Sequence, residues 1–182
     1  MSINSLNLDK IRNYVREAAK KAFSELRQAY PNDEFYYYVL WTTVVAHRPA
    51  PCACSKQGLE RTFAQYLSDS SDETTPADLR WSEADSLYDC FVDEHFTDVA
   101  ELFNDLGDPY ERSDELNHSI FESIVLAMSD LDNEGFFGEG TEREKVVINV
   151  TMPGDESEDE LVERARRLNP KSALAQLEKD MV

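Results

Sequence analysis

The sequence predicts an α+β fold, a mostly antiparallel or mixed sheet packed by several amphipathic helices in a single domain. Three features predict it. The run Phe35–Ala46 is apolar on both of its alternating faces, the pattern of an inner strand covered on both sides. Far downstream, Val146, Ile148 and Val150 alternate as in a second strand. Around and between these runs, apolar residues recur at spacings of three and four, the period of a helix with one buried face.

Leu8, Ile11, Val15, Ala18, Ala22 and Leu26 share one helical face and predict a first helix over about 7–29, stopped by Pro31. The central strand follows at about 35–46, with Tyr37, Val39 and Trp41 on one face and Tyr38, Leu40 and Val44 on the other. Arg48-Pro-Ala-Pro51 turns the chain toward a strand near 51–55, whose prolines place it at an edge. Leu59, Phe63, Tyr66 and Leu67 predict a short helix, Ser68–Pro76 a polar loop, and Asp78-Leu-Arg-Trp-Ser82 a brief strand. The middle, about 83–134, reads as acidic and helical. One stripe there (Phe96, Val99, Phe103, Leu106) ends at Gly107-Asp-Pro109, and another (Leu116, Ile120, Ile124, Ala127, Leu131) ends at Gly135. A strand at about 144–152 and helices over about 157–182 complete the order, with Ser157 and Glu160 forming a capping box.

An apolar content of 41% with 10% aromatics over 182 residues is enough to build a core. Met1–Lys10 has no apolar segment of the secretory type, and the longest apolar run is too short to span a bilayer. Cys52, Cys54 and Cys90 are too few for a disulfide framework and suit a reducing compartment, so the expected location is the cytoplasm.

Charge is the most uneven property of the chain. Residues 62–142 hold 22 acidic side chains against Arg80 and Arg112 alone, a net −20 beside −19 for the whole chain. Such a field repels nucleic acid phosphates and anionic lipid heads and attracts cationic surfaces. No nucleic acid and no membrane partner is therefore expected, and the expected partner is a basic protein.

Motifs for catalysis or cofactors are weak. Cys52-Ala-Cys54 with His47 lacks the second ligand pair of a zinc site. Asp130-x-Asp132-x-Glu134-Gly135 opens like a calcium loop, but position twelve is Thr141 rather than a bidentate carboxylate. His95 and His118 are scattered among carboxylates, and Gly135-Phe-Phe-Gly-Glu-Gly140 lacks the Lys-Ser/Thr of a phosphate loop. No catalytic residue, metal or cofactor is expected.

Phe35-Tyr-Tyr-Tyr-Val-Leu-Trp-Thr-Thr43, Asp78-Leu-Arg-Trp-Ser82 with Tyr88, and Leu131-Asp-Asn-Glu-Gly-Phe-Phe-Gly138 leading to Arg143 and Val146–Val150 form a set. Together they resemble a mainly bacterial family, domain of unknown function 4303, from the first helix to the Val146 strand. The resemblance supplies no catalytic residues. It implies kinship in setting with small acidic immunity proteins that neutralise toxins.

The candidate partner-binding residues are Asp85, Asp89, Asp93, Glu94, Asp98, Glu101, Asp105 and Asp108, joined by Glu111, Asp114 and Glu115. Tyr88, Phe91 and Tyr110 are candidate aromatic anchors within that surface, or else core residues. Arg80, Trp81 and Gly135 are expected to be structural. The preferred reading is an acidic cytoplasmic binding protein, an immunity protein covering a basic toxin domain. The alternatives are a housekeeping or regulatory domain that is acidic for solubility, and an enzyme with an unrecognised site. The sequence does not fix the oligomeric state.

Overall fold

Tyr37 and Val39 project from one side of the middle strand and Tyr38 and Leu40 from the other, and all four are buried. The computed structural model describes residues 5–69 and 74–181. Its sheet has the order β2-β1-β3, with β1 at Phe35–Trp41, β2 at Ala50–Ser55 and β3 at Val147–Thr151. β2 runs antiparallel to β1 and β3 runs parallel to it, so the sheet is mixed, and Pro51 falls on an edge strand with Pro49 just before it.

Helices cover both faces. On one side Tyr38, Leu40, Ala53, Ile148 and Val150 join the core formed by α1 (Ser5–Ala29), α4 (Thr97–Asp105) and α5 (Asp114–Asn133). On the other, Tyr37, Val39, Cys52, Cys54 and Val147 pack against Trp81 and against α7 (Glu158–Leu168) and α8 (Ala175–Met181). The remaining helices are α2 (Lys56–Asp69), α3 (Pro76–Arg80) and α6 (Gly140–Arg143). No helix among the described residues is long and apolar enough to cross a membrane.

Local chemistry sets the ends. Gly135, at φ +73°, closes α5 in a Schellman arrangement: Phe136 N donates to Leu131 O at 3.0 Å and Gly135 N to Asp132 O at 2.9 Å. The Ser157–Glu160 capping box opens α7. Arg143, itself buried, clamps the end of α5, β3 and the end of α7 through Asp132, Val146 O, Leu168 O and Asn169.

The structure corrects several expected boundaries. Asp78–Ser82 is not a strand: Pro76–Arg80 is a short helix, because Thr75 and Asp78 form a capping box around Pro76 at its first position. The central strand ends at Trp41 rather than 46. Beyond it, the Thr42 hydroxyl donates to His47 O at 2.7 Å and Thr43 Oγ1 meets His47 Nδ1 at 2.6 Å, so these side chains fold the chain into a turn instead of extending the ladder. The acidic middle is not helical from its start, since Glu83–Val92 is a series of turns and helix begins only beyond it. In the polar loop at 68–76, residues 70–73 lie outside the described residues.

Candidate functional site

The acidic residues of the middle segment separate into distinct groups once folded. Those near the end of α5 meet cations from elsewhere in the chain: Asp130 meets Arg12 at 2.5 Å, Glu134 meets Lys20 at 2.6 Å, and Asp132 meets Arg143. Glu122 likewise meets Arg167 at 2.6 Å. Arg12 and Lys20 of α1, with Arg143 of α6 and Arg167 of α7, thus neutralise a stretch that has no cation of its own in sequence.

The second group stays unpaired. Glu94, Asp98, Glu101, Asp105, Asp108, Glu111, Asp114 and Glu115 are exposed, and none has an ion-pair partner among the described residues. Helical spacing places Asp98, Glu101 and Asp105 along one side of α4, with Val99, Leu102 and Phe103 buried on the other. Asp114 and Glu115 occupy the first turn of α5, where the helix dipole favours negative charge. Arg112 is the one lysine or arginine in this run. It spends its guanidinium on Ala46 O at 3.2 Å and Gly107 O at 3.1 Å, and burial pushes its pKa down despite nearby Asp108.

Three of the sequence-predicted acids have internal work. Asp93 takes both terminal nitrogens of Arg48, Asp89 accepts from Trp41 Nε1 at 2.8 Å, and Asp85 accepts from Ser82 at 2.6 Å and from the Tyr66 hydroxyl. These contacts tie residues 82–93 to β1, the hairpin and α2. The same junction holds three non-glycine residues in the left-handed region: Ala46, Cys90 and Val92. A β-branched residue there is strained, and such strain persists only where surrounding contacts over-determine it. Cys90 N donates to Pro51 O at 2.9 Å and Ala46 N to Thr43 O at 2.8 Å, which supplies part of that constraint.

A cleft of about 240 Å³ opens between the hairpin and α4, lined by His47, Arg48, Phe103 and Arg112 among others. Tyr110 stands beside it with its ring edge toward His47, centroids 5.8 Å apart, and is 77% exposed. Of the three candidate anchors, Tyr110 is the one on the surface. Tyr88 is core, packed on Tyr30 and Phe35 with its hydroxyl on Asp33, and Phe91 is half-buried against Tyr30. Burial alone would push the Asp33 carboxyl up, but hydrogen bonds from Tyr88, Arg61 and Ser55 outweigh it and hold it below the usual range. Periodicity missed His47 and Arg48 as part of this surface, because only the fold brings the hairpin beside α4.

Arg80 and Trp81 converge on one carboxylate. Arg80 Nη1 and Trp81 Nε1 donate to Asp180 Oδ2 at 2.5 and 2.9 Å, while the Tyr36 hydroxyl donates to Arg80 O at 2.8 Å. This joins α3, β1 and α8 across the second core. Among the described residues, no group of three or more His, Cys, Asp or Glu side chains is arranged to hold a metal ion. Cys52 and Cys54 are buried thiols on β2. The exposed Cys90 thiol is pushed up to about 11, by burial first and then by Asp89, which leaves it protonated near neutrality. His95 Nε2 meets Glu25 at 2.8 Å, and His118 is exposed on α5.

No curated protein and no solved structure matches the chain. A family model described as Domain of unknown function (DUF4303) matches residues 15–170, from within α1 to just past the end of α7. That span takes in all three strands, the Arg143 clamp and the whole acidic face, and the chain belongs to the DUF4303 family.

Proposed function

We propose that this protein is a binding protein that engages a basic protein partner through the face running from Glu94 to Glu115. A toxin domain whose nucleic-acid-binding surface it covers is the partner class put forward, since a surface built for phosphates presents the required cations. The single observation supporting the reading is that eight exposed carboxylates on this face have no ion-pair partner among the described residues, although the acids at 122–134 do. Acidity serving solubility alone gives no reason for that segregation. Tyr110 and the adjoining cleft supply what charge lacks, an exposed aromatic ring that a partner can desolvate.

The test is comparative capture from cells of the source organism. Immobilised wild-type protein and the Glu94→Lys, Asp98→Lys, Glu101→Lys, Asp105→Lys variant are exposed to the same extract. These four side chains are exposed and have no ion-pair partner among the described residues, so the variant is expected to keep its melting temperature. A basic protein retained by the wild type and lost from the variant supports the reading. An acidic partner, or one held equally by both, favours solubility as the role of the charge.

A further inference from the structure

The opposite end of β1 carries a different kind of surface. There, on the side of the sheet covered by α8, a groove of about 410 Å³ opens between α2, α3, the start of β3 and the C-terminal segment. Its walls include Tyr36, Leu59, Trp81 and Val147, and its rim carries Lys56 and Lys145. The volume lies within the range of small-molecule sites, and a mostly apolar lining with a few placed polar groups is their usual make-up.

The groove is also rigid where it must be. Trp81 meets Tyr36 edge-on at 5.6 Å and Tyr37 at 5.3 Å, and its indole N–H is held by Asp180, so the aromatic floor is fixed before any ligand arrives. The rim, in contrast, is free to change partners. Lys56 pairs with Glu34 at 2.5 Å and Lys145 with Glu142 at 2.6 Å, but all four side chains are more than half exposed. Exposed pairs of this kind contribute about 0–1 kcal/mol and exchange readily for a better anion. Both lysines line the groove and both act on Glu34, Lys56 the more strongly, so they lie within electrostatic reach of one carboxylate. Arg80 is neutralised by Asp180, so the exposed lysines of the rim supply the groove's available positive charge, and Glu60 is the one carboxylate in the lining.

From this arrangement we infer that the groove is a binding site for a small organic anion with a flat apolar body, its ring seated beside Trp81 and Tyr36 and its acid group held by Lys56 and Lys145. The site is independent of the acidic face: it lies at the other end of β1 and recognises the opposite charge.

The probe is 1-anilinonaphthalene-8-sulfonate, a flat aromatic sulfonate, compared with its uncharged analogue N-phenyl-1-naphthylamine. Binding is read by calorimetry and by probe fluorescence on protein of unchanged circular dichroism. The expected result is one sulfonate bound per chain, at least tenfold tighter than the uncharged analogue. Lys56→Glu with Lys145→Glu should weaken the sulfonate tenfold or more and leave the uncharged analogue unchanged. Lys10→Glu with Lys21→Glu, the same change of net charge on α1, should leave both unchanged. Absence of sulfonate binding, equal affinity for the two probes, or equal loss in the α1 variant overturns the inference.

Discussion

Arg48 grips Asp93 with both terminal nitrogens, Nη1 to Oδ1 at 2.7 Å and Nη2 to Oδ2 at 2.9 Å, tying the β1–β2 hairpin to the residue that follows left-handed Val92. A bidentate pair of this kind is stronger than a single contact, but both side chains are about a third exposed. Asp93→Asn keeps the shape and removes the charge. It is expected to lower unfolding stability by about 1 kcal/mol in a urea titration. An unchanged midpoint means the pair does not hold the strained turn.

Gly58 offers a sharper test because propensity and packing disagree in sign. In a helix, alanine ordinarily stabilises by about 1 kcal/mol over glycine. A Cβ at Gly58, however, would lie 2.7 Å from Cε2 of Tyr88, whose ring is 1% exposed and whose hydroxyl is fixed by Asp33, Arg61 and Ser55. Gly58→Ala is therefore expected to destabilise by about 1–3 kcal/mol, the usual range for overpacking. A gain in melting temperature would show that the Tyr88 ring yields.

Glu83 sets a pH dependence. Burial pushes its carboxyl up from the usual value against the hydrogen bond from Thr151, and Glu156 and Asp89 push the same way. Between the unfolded and the folded value, the folded state therefore keeps a proton that the unfolded state has released. This contribution to stability is full below the unfolded value near 4.5 and is lost as pH rises through the folded one. Glu83→Gln removes the loss, so its melting temperature should match wild type in acid and exceed it at pH 7. Asp33 and Asp180 run the other way: each is held below its usual value, so their contributions are lost as pH falls through those lowered values. A Glu83→Gln advantage that does not grow with pH contradicts the assignment.

Leu40 tests the middle strand. It is fully buried, and an aspartate there would be an unpaired charge in the larger core, costing at least several kcal/mol. Leu40→Asp should abolish the cooperative unfolding transition. Leu126→Asp, at a position 41% exposed on α5, should leave it nearly intact. Similar behaviour of the two variants would remove β1 from the centre of the sheet.

The sequence made the middle strand readable, because Phe35–Trp41 is apolar in both alternating phases and only a strand covered on both sides requires that. Gly135 was readable for a similar reason, as a glycine placed just beyond a helical stripe. Asp78–Ser82 misled because its helix is too short for any period to register, and only the Thr75–Asp78 cap declares it. At the candidate site, the density of carboxylates was visible in one dimension, but their division into paired and unpaired groups was not. That division depends on α1 lying along α5, and on Arg112 turning to backbone carbonyls rather than to its acidic neighbours.

The central claim is that the unpaired carboxylates from Glu94 to Glu115 recruit a basic protein. The most direct measurement is the association rate of the captured basic partner over a series of salt concentrations, for wild type and for the Glu94→Lys, Asp98→Lys, Glu101→Lys, Asp105→Lys variant. Long-range attraction is screened over a Debye length of about 8 Å at physiological ionic strength, and steering of this kind raises on-rates by about 10- to 1,000-fold. Association to wild type should fall by roughly tenfold or more from low to high salt while dissociation changes little, and the variant should associate slowly at every salt concentration. An association rate indifferent to salt and to the four reversals would contradict the claim.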